Sequence, residues 1–173
     1  MINISTLKQL SIWLLFVGGQ ILFAQNVILY NKAFSFIYIG FLLLLPLNIS
    51  RNNLLLIGCF TGLAIDVFYN SLGTHMAAAT FIAFLRPLWI NAITPRGGYE
   101  NVESPAIKDL SLSWFLAYSL PLTLLHILVL FFVEAGGFNM FFSVIFKALM
   151  STFLTVFMLI VLQYLFYSKG RYS

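Results

Sequence analysis

"GCFTGLAIDVFYNSLGTHMAAATFIAFLRP", residues 58–87, is apolar enough over most of its length to sit in a lipid bilayer. It nevertheless carries Asp66, His75 and Arg86, together with the glycines Gly58, Gly62 and Gly73. A charged side chain at the centre of a bilayer costs about 2.5–3.5 kcal/mol on insertion scales, so such groups normally face a protein interior or water. The fold turns on how this stretch accommodates them.

The rest of the chain sets the environment. Of 173 residues, 61% are hydrophobic and only 8% charged, and the mean hydropathy is +0.99. Soluble domains carry roughly 25% charged residues. A chain this poor in polar groups cannot cover a water-soluble globule, so it reads as an all-α integral membrane protein forming a single polytopic domain. The net charge of +4 fits the excess of Lys and Arg that membrane proteins place in their cytoplasmic loops. It does not point to nucleic acid. The lone cysteine, Cys59, lies in an apolar run and reads as a packing residue. No cluster of His and Cys suggests a metal, and no cofactor is expected.

Charge-free runs mark the spans, since a helix needs about 20 apolar residues to cross the hydrocarbon core. Six are expected, near 10–30, 34–47, 53–69, 74–93, 111–133 and 139–167. The second is short and ends at Pro46. Segments in lipid should be helical, because open strands leave backbone groups unpaired. The first span has a weak likeness to a signal peptide, with Lys8 before it and "ILFAQ" near its end. Leu22 is large for the cleavage context, however, and the apolar stretch continues, so retention of the span is expected. With six spans, Lys8, Arg51, Arg96, Lys108, Lys169 and Arg171 share one side and Lys32 lies alone on the other. That bias predicts a multi-pass protein of the cytoplasmic membrane with both termini cytoplasmic. The longest loop, "TPRGGYENVESPAIKD", reads as a solvated linker on that side.

Within the opening stretch, Gly58, Gly62 and Asp66 recur at i, i+4 and i+8 and so share one helix face. "GCFTG" is a small-xxx-small pattern that admits a second helix closely. "NSLG" supplies a tight turn through Leu72 and Gly73, folding the third and fourth spans into a hairpin. The returning helix is rich in small residues, Ala77 among them. His75 then lies within about one turn of the level of Asp66, while Arg86 lies roughly 12–15 Å deeper at 1.5 Å per residue. A direct Asp66–Arg86 pair is therefore not expected. Arg86 is expected to snorkel to the interface or to bind carbonyls freed by Pro87. Lys147 is a second candidate partner for Asp66. Two roles fit Asp66: a proton or ion relay, or a structural contact with His75, Lys147 or loop amides that fixes the hairpin. The lack of a second acid nearby favours the structural role. His126, Gln20, Gln25 and Asn26 read as hydrogen-bonding groups between helices. There is no H-E-x-x-H, G-x-S-x-G or Walker pattern, and no nucleophile-and-base set, so an enzyme is not expected.

"GLAIDVFYNSLGTH" resembles the signature of the rod shape-determining protein MreD family, through Gly62, Leu63, Asp66, Leu72 and Gly73. "FIAFLRPLWINAITPRGGYE", with Arg86 and Pro87, resembles the Bacteroidetes-type variant. The resemblance implies a non-enzymatic inner-membrane scaffold of the cell-elongation (rod) complex. Its implied partners are an MreC-like single-span protein, RodA, a class B penicillin-binding protein and MreB, working in lateral peptidoglycan synthesis. It also implies a six-helix bundle like the substrate-binding subunits of energy-coupling-factor transporters. In such a bundle a groove would hold a partner's transmembrane helix where the transporters hold a vitamin. The alternative function is a substrate-binding subunit of a vitamin or small-molecule transporter.

Overall fold

The structure, a computed structural model, describes residues 4–29, 32–71, 73–100, 102–137 and 140–165. Six helices carry the fold: α1 (Ile4–Leu22), α2 (Ile39–Leu44), α3 (Arg51–Tyr69), α4 (Thr74–Ala92), α5 (Leu112–Glu134) and α6 (Phe141–Leu165). A 3₁₀ turn, Ala24–Asn26, and two short strands, β1 (Ile28–Leu29) and β2 (Ala33–Phe34), lie between α1 and α2. The strands pair antiparallel, Ile28 with Phe34 and Leu29 with Ala33. Three helices, α3, α5 and α6, are long and apolar enough to cross a membrane, which makes the chain a membrane protein.

Two expected spans take a different form. The helix expected over 10–30 ends at Leu22. Beyond it the bonds tighten to a 3₁₀ pattern, with Asn26 N–H donating to Phe23 O and Val27 N–H to Ala24 O. The β-branched pair Val27–Ile28 then favours extended backbone over a further helical turn. The expected helix over 34–47 is replaced by β2, an irregular stretch and the six-residue α2. Six residues make a helix of about 9 Å, against a hydrocarbon core of roughly 30 Å. The other helices lie within two residues of their expected bounds where the chain is described. The exception is the expected end at 167, which lies outside the described residues.

Segment 33–45 is the centre of the bundle. Ala33, Phe36, Tyr38, Ile39, Phe41, Leu42, Leu43 and Leu45 are all buried. Irregular backbone at membrane depth survives only where protein satisfies its polar groups, and here side chains do so. Phe34 N–H donates to Ser151 Oγ and Phe36 N–H to Thr155 Oγ1, each at 3.0 Å. Gln20 on α1 donates its Nε2 to Ser35 O at 2.9 Å, and its Oε1 accepts from Tyr38 N–H at 3.4 Å. Ser151 and Thr155 are one turn apart on α6, so the segment runs beside that helix in the same direction. Gly40, further on, lies against Leu159, a turn deeper.

The remaining helices enclose this segment. α3 and α4 make the most extensive helix–helix contact, followed by α5 with α6 and α4 with α5. α1 is held to α3 by Trp13 Nε1 donating to Thr61 Oγ1 at 3.0 Å, and by Gln20 Nε2 donating to Tyr69 Oη at 2.7 Å. The outward faces stay apolar. Leu56, Phe60, Leu63 and Val67 on α3 are exposed, as are Phe142, Phe146, Phe153 and Phe157 on α6. These spacings of three, four and seven residues mark single helix faces.

Candidate functional site: a hairpin with two buried charges

α3 ends at Asn70, a left-handed residue (φ 52°) whose N–H bonds back to Asp66 O. The chain reverses through Ser71 and Gly73, and α4 begins at Thr74. Gly73 is the N-cap of α4 with φ +81°, a region costly for any residue with a Cβ. A glycine has no side chain to cap the helix it starts. The cap comes from the preceding helix instead. Asp66 Oδ1 accepts the His75 N–H at 3.0 Å and Asp66 Oδ2 accepts the Met76 N–H at 2.9 Å. Ser71 Oγ donates to Oδ1 at 2.5 Å, and Thr74 Oγ1 lies 3.5 Å from the same oxygen. A carboxylate at a helix N-terminus also gains from the helix dipole.

His75 completes the cluster. Its Nδ1 lies 3.0 Å from Asp66 Oδ1, the only ion pair within 4 Å among the described residues. An ionised carboxylate only accepts, so the proton sits on Nδ1. Nε2 is buried and without a hydrogen bond. The imidazole is walled by Tyr69, Tyr38 and Phe36, with ring centroids 5.1, 5.9 and 6.2 Å away. Lys147, expected as a second partner for Asp66, is half-buried and makes no ion pair with it.

The glycines set the depth of the hairpin. A Cβ on Gly62 would run into the backbone of His75 and Met76. One on Gly58 would come 2.8 Å from Ala83 Cβ and 3.0 Å from Ala79 O. The small-xxx-small face of α3 therefore meets α4 of the same chain at backbone distance. Ala77 faces outward and takes no part in this contact, Pro87 is half-buried within α4, and Leu72 lies outside the described residues.

Arg86 departs from its expected role. It does not snorkel: it is 1% exposed, the largest fully buried side chain among the described residues. Nor does it bind the carbonyls that Pro87 frees in α4. Its Nε donates to Tyr118 Oη at 2.8 Å, one terminal nitrogen bonds Leu45 O, and the same nitrogen lies 3.5 Å from Leu43 O. Tyr118 also donates to Leu43 O, at 2.9 Å. Leu43 and Leu45 end α2, whose last carbonyls have no partner within so short a helix. Arg86 and Tyr118 supply it. As expected, Asp66 and Arg86 do not meet. Each caps a different helix, the acid at the start of α4 and the guanidinium at the end of α2.

Further polar groups tie the central segment to the helices around it. His126 Nε2 lies 2.7 Å from Tyr38 Oη, and Gln20 reaches Ser35, Tyr38 and Tyr69. Both act between elements, as the sequence suggests. Asn26 is exposed, and the side chain of Gln25 is outside the described residues. Sequence reasoning did not find Tyr38, Tyr118, Ser151 or Thr155. A tyrosine in an apolar run signals a hydroxyl needing a buried partner, and Ser151 and Thr155 at i, i+4 mark one polar face of α6. Chemically the site holds structure together: both Asp66 oxygens are occupied, and no group of three His, Cys, Asp or Glu gathers among the described residues.

No protein-family model, curated protein or solved structure matches this chain.

Proposed function

We propose that the chain is a non-enzymatic scaffold of the bacterial inner membrane, working in the cell-elongation complex as its MreD-like subunit. It would bind an MreC-like single-span partner and serve RodA, a class B penicillin-binding protein and MreB in lateral wall synthesis. The topology proposed with it has six crossings and cytoplasmic termini. Segment 34–47 is the irregular crossing, threaded through the middle of the bundle. The six-to-one bias of Lys and Arg supports that orientation.

The observation that carries this reading is the filled bundle centre. Pockets for small molecules measure about 300–1,000 Å³. The cavity beside segment 33–45, lined by Ala24, Val27, Phe34, Ser35, Phe36 and Tyr69, holds only about 30 Å³. A vitamin carrier, the alternative reading, needs an enclosed polar pocket there. The larger cavity, about 410 Å³, opens at the edge of the bundle between α1 and α3. Both buried intramembrane charges, Asp66 and Arg86, are engaged in capping, which suits a rigid body presenting fixed surfaces. Depletion in a rod-shaped host tests the function: cells should round up, and cells that keep their shape refute it.

A further inference from the structure

The α1–α3 groove has a shape of its own. The two helices run in the same direction and are pinned by the Trp13–Thr61 hydrogen bond. One turn earlier on each, at Gln9 and Ile57, they stand apart around a cavity of about 410 Å³. The loop through Pro46, Asn48 and Ile49 closes its base, and Asn53 and Leu56 complete the wall. Three side-chain amides, of Gln9, Asn48 and Asn53, thus line one cavity. None makes a side-chain hydrogen bond to protein among the described residues, and with Asn48 and Asn53 exposed and Gln9 half-buried they are open to a ligand.

Polarity is graded along the groove. The amides lie where the helices begin, and Leu56 follows one turn into α3. Phe60, the next residue on that face, is 64% exposed and Leu56 is 56% exposed. The Trp13–Thr61 bond shuts the gap between the helices above, so anything longer than the cavity must continue outward along Leu56 and Phe60. Charged residues flank the groove: Glu103, whose carbonyl accepts from Leu47 N–H at the cavity base, and on the helices only cations. The cavity lies at the positive end of the α3 dipole and has no acidic lining residue. Lys8 adjoins Gln9 in the chain, and Arg51, seated 4.6 Å above the Phe84 ring, adds to the field from the first turn of α3.

We propose that this groove binds one phospholipid with an anionic headgroup, drawn from the leaflet on the side of Lys8 and Arg51. The phosphodiester and headgroup hydroxyls take the free amides of Gln9, Asn48 and Asn53. The acyl chains leave over Leu56 and Phe60. Lysines and arginines beside a membrane groove attract anionic headgroups over about a Debye length. The site stands apart from the scaffold reading, since it needs only the membrane and the groove.

Native mass spectrometry of the full chain in mild detergent tests it, with phosphatidylglycerol, phosphatidylcholine or sn-glycerol 3-phosphate added. One phosphatidylglycerol per chain should be retained, about five-fold over phosphatidylcholine, as one well-placed cation of about 1 kcal/mol implies. The paired variant Lys8→Gln/Arg51→Gln should abolish that preference, and Gln9→Leu/Asn53→Leu should lower the retention of both lipids. Leu56→Trp, which narrows the groove at an exposed position, should lower retention without altering the melting temperature. Equal retention of the two lipids would overturn the proposal. So would retention indifferent to all these variants, equal binding of sn-glycerol 3-phosphate, or a stoichiometric protein chain displaced by Leu56→Trp.

Discussion

Asp66 and His75 meet twice: Oδ1 of the carboxylate accepts both the backbone N–H and the ring Nδ1–H of His75, each at 3.0 Å. One residue of α3 thereby caps α4 and orients its first buried side chain. The carboxylate is the part of the hairpin that Gly73 cannot supply for itself.

Removing that cap should loosen the start of α4. Loss of an N-cap acceptor costs about 1–2 kcal/mol, so Asp66→Ala should be destabilised by at least that amount. Asp66→Asn, which keeps one acceptor oxygen, should lose less. Hydrogen exchange in detergent micelles should quicken at the His75 and Met76 amides. Protection at those two amides equal to wild type would show that Asp66 is not the cap.

The glycine face should respond by position. Gly62→Ala should be the more damaging change, since its Cβ meets the backbone of His75 and Met76. Gly58→Ala meets a side-chain methyl and one carbonyl and should cost less. Gly18→Ala on α1 has nothing within 4 Å and should be neutral or stabilising by up to about 1 kcal/mol, the helix preference for alanine over glycine. Unfolding in mixed micelles ranks the three, and a loss at Gly18 as large as at Gly62 would contradict the packing.

Arg86 should tolerate no substitute, Lys included. A lysine offers one nitrogen where the guanidinium reaches Tyr118 and the two carbonyls from different atoms. A hydrogen bond to a charged group is worth about 1.5–3 kcal/mol, so Arg86→Lys should cost at least that and Tyr118→Phe less. The double variant should cost less than the sum, because both residues serve the same carbonyl of Leu43. Additive losses would mean the two act apart.

Ser151 and Thr155 should matter through the segment they hold. Ser151→Ala leaves the part-buried Phe34 N–H unpaired and should cost less than Thr155→Val, which leaves the buried Phe36 N–H unpaired, a loss of about 1–3 kcal/mol. Exchange at the Phe34 and Phe36 amides should accelerate respectively, with α3 and α4 unaffected. Uniform acceleration through the bundle would argue against a local role.

The hairpin was legible in the sequence because its signals are local. Glycines at i and i+4, a turn with Gly73 and charges outside the apolar runs bound α3 and α4 to within two residues. Segment 34–47 was not. Its uncharged run reads as a span, and what keeps it irregular comes from Ser151 and Thr155, 117 and 119 residues away. Arg86 was misread for the same reason. Its carbonyl acceptors lie more than 40 residues before it in the chain, on a helix too short to expect. Asp66 was placed correctly because all its partners lie within ten residues.

The scaffold reading is tested most directly by the mass of the complex extracted from native membranes under mild detergent. The account predicts this chain in stoichiometric association with an MreC-like single-span protein and with no vitamin-sized molecule in the bundle. The chain recovered without a protein partner, and carrying a tightly held small solute, would contradict it.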